Sequence, residues 1–309
     1  MNRNFSDEIK YRWKHGGMHI KLMGVNLVVF ILINMLLVFG SLSVSNGASN
    51  PLTSFVYNFF TLRGDILGFL THPWGIITSI FAHFDFMHIA FNMLFLYFIS
   101  SFFLMYFSNQ RMLYTYILGG IMGGIFQILA YSIFPALQGT QTYVVGASGA
   151  VNAVFMAAAF YRPMAEVHLF GIVRVKMIYL AGIFILMDLL QMGSSDNVAH
   201  FAHLGGAAFG IWSIHKVTSK NNVVNFVQVT VDNFKASFNN KGKPKMKAHK
   251  GGKSTTQSST KTKKQTDEEY NFSKKQKQAE IDAILDKISK SGYDSLTKRE
   301  KQVLFDQSQ

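Results

Sequence analysis

Apolar residues concentrate in six blocks within the first 215 positions of the chain. The blocks cover roughly residues 23–42, 86–107, 112–134, 145–161, 176–192 and 198–215. A helix needs about 17–25 apolar residues to cross the hydrocarbon core of a bilayer. The first three blocks meet this length, and the last three lie at its lower limit. The pattern therefore predicts an all-α polytopic membrane protein with a six-span helical bundle over residues 23–215.

Basic residues divide the connections between these blocks into two groups. Residues 1–22 contain five Lys and Arg, and residues 162–176 contain three, whereas 43–85 contain one and 135–145 contain none. Cytoplasmic connections of membrane proteins carry the excess of Lys and Arg. We therefore expect cytoplasmic N and C termini, with residues 1–22 as the cytoplasmic N-terminus. A bacterial cytoplasmic membrane is the expected location.

The formal charge of +13 lies mostly in the tail. From Lys216 onward, 20 Lys and Arg face 10 Asp and Glu, a net of +10, which leaves 10 against 7, or +3, for the preceding residues. A basic segment beside a bilayer favours anionic lipid as a partner over nucleic acid. The chain has no cysteine, which excludes disulfides and thiol chemistry.

The tail divides into a linker and a short helical region. Residues 239–268 contain almost no apolar side chain, so we predict that 216–277 form a basic and largely disordered linker. Apolar residues return at helical spacing after residue 280, and Thr297 with Glu300 has the spacing of a capping box. These signals predict a helical hairpin over residues 278–309, whose partner the sequence leaves open.

A serine and a histidine begin two of the short apolar blocks. Ser148 opens the fourth block within Gly146-Ala147-Ser148-Gly149, and His203 lies near the start of the sixth. Both blocks run in the same direction, so at 1.5 Å per residue both side chains lie roughly 5–8 Å below the outer end of their helices. A serine beside a histidine at one depth is the arrangement of a nucleophile and its base.

Small and polar residues accompany this pair. His88 and Asn92 are four residues apart near the start of the second block, so they share one helix face. This block also enters from the outer side, which places both residues in the same leaflet as the serine and the histidine. Gly206 and Gly210 form a GxxxG one turn below His203. Such small-residue faces let two helix backbones approach closely.

Metal binding and acid assistance are alternatives for the polar residues. Four histidines, His83, His88, His200 and His203, gather near the predicted outer ends. No HExxH motif accompanies them, and the carboxylate nearest to them in sequence is Asp85, so we predict no metal and no cofactor. Asp188 is the only acid inside a span, and its place near the outer interface favours a solvated helix-end residue. The spacing does not show whether it completes a triad.

Three motifs in this order resemble those of rhomboids, the family of intramembrane serine proteases. They are HxxxN from His88 to Asn92, GxSG from Gly146 to Gly149, and AHxxGxxxG from Ala202 to Gly210, and the likeness covers roughly residues 72–215. The resemblance implies a dyad of Ser148 as nucleophile and His203 as general base, without an acid partner. It also implies an oxyanion hole made by the Ser148 backbone N–H and the side chains of His88 and Asn92.

The chain departs from the family at the position one turn after the serine. Many rhomboids have a tyrosine there that stacks on the catalytic histidine, whereas this sequence has Asn152. We expect a hydrogen bond from Asn152 to orient His203 instead. Gly146, Gly206 and Gly210 are expected to support the site.

The resulting functional prediction is a serine endopeptidase that cleaves single-span membrane proteins near the outer leaflet. Its partners are then transmembrane substrates and membrane lipids, and residues 135–147 and the fifth span are candidates for a cap and a lateral gate. One alternative is a non-catalytic rhomboid-like protein that holds transmembrane clients. A small transporter is another, but it predicts paired charges or internal repeats, and the sequence offers only Asp188 and no convincing repeat.

Overall fold

The computed structural model describes residues 4–43, 50–137, 143–169, 173–192, 199–239, 281–289, 292 and 295–307. The chain forms two compact units, Met1–Lys241 and Gly242–Gln309. Residues 240–277 of the predicted linker, residues 278–280 at the start of the predicted hairpin and residues 138–142 of the predicted cap lie outside the described residues. The helices are α1 (Phe5–His15), α2 (Met18–Ser43), α3 (Pro51–Phe60), α4 (Ile66–Thr71), α5 (Gly75–Thr78), α6 (Phe86–Phe103), α7 (Asn109–Ile133), α8 (Ser148–Tyr161), α9 (Met177–Gln191), α10 (His200–Ser213), α11 (Val223–Asn239), α12 (281–289) and α13 (Lys298–Gln307).

Each predicted apolar block contains one helix. The three helices α2, α6 and α7 are long and apolar enough to cross a membrane. Helices α8 and α9 are apolar but have only 14 and 15 residues, and α10 has 14. A helix of this length rises about 21 Å, which is less than the hydrocarbon thickness of about 30 Å. The structure therefore shows a largely helical membrane domain, whereas helix length alone does not establish six spans.

Helix α8 lies at the centre of this domain, and small residues on its neighbours make that possible. All of its residues from Gly149 to Ala159 are buried. A Cβ atom at Gly119 of α7 would overlap the Cβ of Ala153, and one at Gly210 of α10 would overlap the Ala153 carbonyl oxygen. Because these glycines have no side chains, the backbones of α7 and α10 can approach α8 closely.

The long connection between α2 and α6 is folded rather than extended. It contains α3, α4 and α5 and a short strand, β1 (Leu62–Arg63), which pairs antiparallel with β2 (Tyr143–Val144). Because β2 immediately precedes α8, this pairing fixes the approach of the chain to Ser148. A second hairpin, β3 (Glu166–Leu169) with β4 (Val173–Lys176), joins α8 to α9.

A buried arginine attaches α11 to the membrane domain. The Arg111 guanidinium on α7 donates to the Ser213 carbonyl oxygen at the end of α10 (2.6 Å), to Asn225 Oδ1 (2.8 Å) and to Asn222 Oδ1 (3.2 Å). The predicted boundary at residue 215 and the predicted linker from 216 are thus wrong for 223–239, which form a helix within the first unit. Its valine and phenylalanine residues have helical spacing, which explains the difference.

The second unit contains the predicted capping box. Glu300 accepts hydrogen bonds from the Thr297 backbone N–H (2.7 Å) and hydroxyl (2.9 Å), and its carboxylate also pairs with Lys287 of α12 (2.9 Å). The Thr297 backbone N–H, followed by Lys287, lowers the pKa of Glu300 to about 2. These bonds explain why α13 begins at Lys298.

Candidate active site

The start of α6 positions His88 and Asn92. Asp85 caps the helix by accepting the His88 backbone N–H (2.9 Å), so His88 lies in the first turn. Asn92 is buried one turn later and donates from Nδ2 to the His88 carbonyl oxygen (2.9 Å). A carboxamide has two N–H donors, so Asn92 can offer a second one to a ligand.

A sharp turn places Ser148 at the first residue of α8. Gly146 has a φ of +125°, which non-glycine residues rarely adopt, and its N–H donates to the Ser79 carbonyl oxygen (2.9 Å). Backbone N–H groups in the first turn of a helix have no carbonyl partner within that helix. The Ser148 N–H is one of these groups, which makes it suitable for binding an oxyanion.

The His83 imidazole forms a hydrogen bond with this turn, a role that the sequence did not indicate. Its side chain is fully buried, and Nε2 accepts the Ala147 backbone N–H (3.4 Å). Burial, followed by the nearby His88, lowers the pKa of His83 to about 3, so the ring is neutral and Nε2 remains an acceptor. Its ring lies edge-on to that of His88, with centroids 4.9 Å apart. His83 therefore links the turn before Ser148 to the predicted oxyanion residue.

Gly146 brings the His88 ring close to the serine. A Cβ atom at Gly146 would lie 2.8 Å from both Cε1 and Nε2 of His88, and 3.8 Å from the Ser148 hydroxyl oxygen. The imidazole thus packs directly on the Gly146 α-carbon. Two parts of the predicted oxyanion hole, the His88 ring and the start of α8, are adjacent in the structure.

Helices α8 and α10 meet at the residues next to Ser148 and His203. A Cβ atom at Gly206 would overlap the Gly149 carbonyl oxygen, and one at Gly149 would lie 3.0 Å from the Ala202 carbonyl oxygen. Both candidate side chains are half-buried at this crossing. Within the described residues no hydrogen bond joins them; catalytic hydrogen bonds are often long before substrate binds.

His203 is bonded to a carboxylate on the neighbouring helix. Its Nδ1 lies 2.8 Å from Asp188 Oδ1, and the Nδ1 of His200 lies 2.9 Å from the same oxygen. Two predictions are therefore wrong. Asp188 is buried rather than solvated, because α9 packs this face against α10, and His203 is held by Asp188 rather than by Asn152.

The same three residues are also the candidate metal ligands of the described chain. One ligand atom each from Asp188, His200 and His203 lies within 4.8 Å of the others, so Asp85 is not the only carboxylate near the histidines. The donor set suits zinc or another transition metal. The atoms already satisfy one another by hydrogen bonding, so their arrangement does not require an ion.

Replacing Gly146 with alanine should lower any activity of this site by about 10²–10³-fold, the effect of losing one oxyanion donor. The new methyl group would displace the His88 ring, and the positive φ would strain the turn. Turnover of the Gly146→Ala protein in detergent measures the effect. Gly182→Ala on α9 is the matched control, because no described atom lies within 4 Å of its Cβ position. Equal activity in both variants would contradict the placement of His88.

Comparison with known proteins assigns a family to this arrangement. Residues 70–220 match the rhomboid domain. This membrane domain belongs to the rhomboid family. Residues 264–309 match a separate family of unknown function, DUF6576. The rhomboid match includes every residue of the site described above.

Two curated relatives share the rhomboid region. RHOMBOID-like protein 12, mitochondrial, of Arabidopsis thaliana is 35% identical over 145 residues, which are 43% of this chain and 43% of that protein. Presenilin-associated rhomboid-like protein A, mitochondrial, of Danio rerio is 30% identical over 144 residues, or 45% of this chain and 36% of that protein. The chain thus spans less than half the length of these relatives.

The relatives overturn the expected location. Both are named as mitochondrial proteins of eukaryotes, which contradicts the prediction of a bacterial cytoplasmic membrane. The distribution of Lys and Arg orients a chain relative to one bilayer and does not identify the bilayer.

Proposed function

We propose that this rhomboid is an intramembrane serine endopeptidase. The observation that supports this most directly is the backbone contact of α8 with α10, because it joins the helix starts that carry Ser148 and His203. Serine is a weak nucleophile until a neighbouring base accepts its proton. The close packing of α8 against α10 supports such a pairing, because it keeps the two helix starts that carry Ser148 and His203 together.

The proposed reaction proceeds through an acyl-enzyme. Ser148 Oγ attacks the scissile carbonyl carbon while its proton passes to His203 Nε2. The peptide C–N bond then breaks, and the leaving amine takes this proton. A water molecule, deprotonated by His203, next attacks the ester carbonyl, and collapse releases the new carboxyl end and restores the serine hydroxyl.

The oxyanion that forms at each step needs donors already in place. The Ser148 N–H at the start of α8 and the side chains of His88 and Asn92 are the proposed donors. The positive end of the α8 dipole adds to them. Each donor of this kind contributes on the order of 3–4 kcal/mol to the stability of the transition state.

The proposed substrates are single-span membrane proteins cut near the outer ends of α8 and α10. This assignment includes six spans, with the short helices α8, α9 and α10 crossing beside α2, α6 and α7. The short helices support access of water to the serine, because they leave the bilayer thinner around the site. The names of the two relatives support a mitochondrial membrane as the location.

Membrane lipids are the proposed partners of α11. Phe226, Phe234 and Phe238 recur every four or eight residues along this helix and are all exposed. Helix α11 follows α10 after a connection over residues 214–222, and Arg111 bonds to both the end of α10 and Asn225 of α11. An apolar stripe on a helix held at the end of a membrane helix suits the interface of a bilayer.

The deciding experiment combines cleavage with covalent labelling of the purified full chain in detergent. A tagged single-span reporter tests hydrolysis, and an alkyl fluorophosphonate tests the nucleophile, since attack by Ser148 Oγ releases fluoride and leaves a phosphonyl ester. We expect reporter cleavage and a label that peptide mass spectrometry maps to Ser148. A reporter that co-purifies uncleaved with an unlabelled protein would instead support the non-catalytic, client-binding alternative.

A further inference from the structure

Asp188 is a buried carboxylate on a helix whose other residues are almost all apolar. Its side chain is 11% exposed, whereas the flanking residues Met187 and Leu189 are about half exposed on the outer face of α9. A carboxylate among apolar side chains is strongly disfavoured unless charged or polar partners satisfy it. Two imidazoles from α10 supply those partners.

The bond to Asp188 determines which nitrogen of His203 can act as a base. An ionised carboxylate only accepts hydrogen bonds, so Nδ1 of His203 must carry the proton in the 2.8 Å contact. Nε2 then keeps its lone pair. The bond also fixes the rotation of the ring, since Asp188 is itself held by His200 at 2.9 Å.

We propose that Asp188 is a positioning residue that orients His203 and holds it in the tautomer that accepts the Ser148 proton. This rests on the proposed function. The carboxylate takes no proton and does not touch the substrate; it stabilises the imidazolium that forms when Ser148 attacks. His200 shares the same oxygen and keeps the carboxylate pointed at His203.

This arrangement takes the place of the tyrosine that stacks on the histidine in many rhomboids. The position one turn after the serine is Asn152, which is buried in α8, while the hydrogen bond to His203 comes from α9. The base is therefore oriented from α9 rather than from α8, by a charged group rather than by an aromatic ring. Oriented bases of this kind recur in serine hydrolases of unrelated fold.

The test is Asp188→Asn in the full chain, which keeps the size of the side chain and removes its charge. We expect kcat for reporter cleavage to fall by about 10²–10⁴-fold with KM within about twofold, because an amide can donate to Nδ1 and favour the wrong tautomer. The rate of fluorophosphonate labelling at Ser148 should fall in parallel. A purely structural role would raise KM or lower the melting temperature without this selective loss of kcat.

Asp65→Asn is the matched control, because Asp65 caps α4 and asparagine caps equally well. Its kcat should equal that of the native chain. If the native chain cleaves the reporter and Asp188→Asn keeps the native kcat, the role of Asp188 is refuted while the protease assignment stands. If the native chain neither cleaves the reporter nor labels at Ser148, the protease assignment fails, and the role of Asp188 fails with it.

Discussion

Replacing Ser148 with alanine should reduce reporter cleavage by at least about 10⁴-fold, to the background rate, as loss of the nucleophile does in serine hydrolases. The change removes one oxygen atom at the first turn of α8, where alanine fits without strain. The helix and its contacts with α10 therefore remain. The measurement is the single-turnover rate of reporter cleavage by Ser148→Ala and native protein at equal concentration.

His203→Ala is the companion variant in this experiment. It should reach the same background, and the double variant should be no slower, because nucleophile and base act as one unit. Binding of the uncleaved reporter should persist in all three proteins. Native rates in Ser148→Ala would refute the proposed nucleophile and point to another site or to a contaminant.

Replacing Gly206 with valine should destabilise the domain by more than about 3 kcal/mol, beyond the usual range for overpacking, and abolish activity. The new Cβ would overlap the Gly149 carbonyl oxygen, which is backbone and cannot rotate away. Helices α8 and α10 would have to separate, which moves Ser148 away from His203. The measurement is the melting temperature in mild detergent, followed by intrinsic fluorescence, together with reporter cleavage.

Gly182→Val is the matched control for this prediction. It introduces the same side chain into an apolar helix, at a position where no described atom lies within 4 Å of the Cβ. Its melting temperature should stay within a few degrees of the native value. A Gly206→Val protein that melts and cleaves like this control would show that the α8–α10 crossing is wider than described.

Local sequence signals were enough to predict much of the helical framework and to select Ser148 and His203 as candidates. The apolar blocks correspond to α2 and α6 to α10 because burial in lipid or in the core requires continuous apolar surface. The spacing of Gly206 and Gly210 indicated a close helix crossing, and in the structure a Cβ atom at either glycine would overlap a backbone oxygen of α8. Ser148 and His203 lie beside that crossing, as their equal depth along parallel helices implied.

The supporting residues could not be predicted in the same way. Asp188 and His203 lie on neighbouring helices, and their separation of 15 residues in sequence follows no characteristic periodicity. His83 accepts a hydrogen bond from the Ala147 backbone N–H, and the position of this N–H depends on the turn at Gly146. Helix α11 was assigned to the linker because the stretch mixes apolar and polar residues and directly precedes the apolar-poor residues 239–268.

Under the proposed function, the position of Asp188 on α9 has a consequence for when Ser148 can react. Of its residues, Met177, Ala181 and Asp188 are buried, and the others are partly or fully exposed. A substrate helix that enters by displacing α9 would carry the carboxylate away from His203. The serine would then be least reactive while the site stands open to lipid and water, and it would become competent only as α9 closes over a bound chain. Substrate binding and activation of the serine would then be a single event, and helices that diffuse past without binding would not be cleaved.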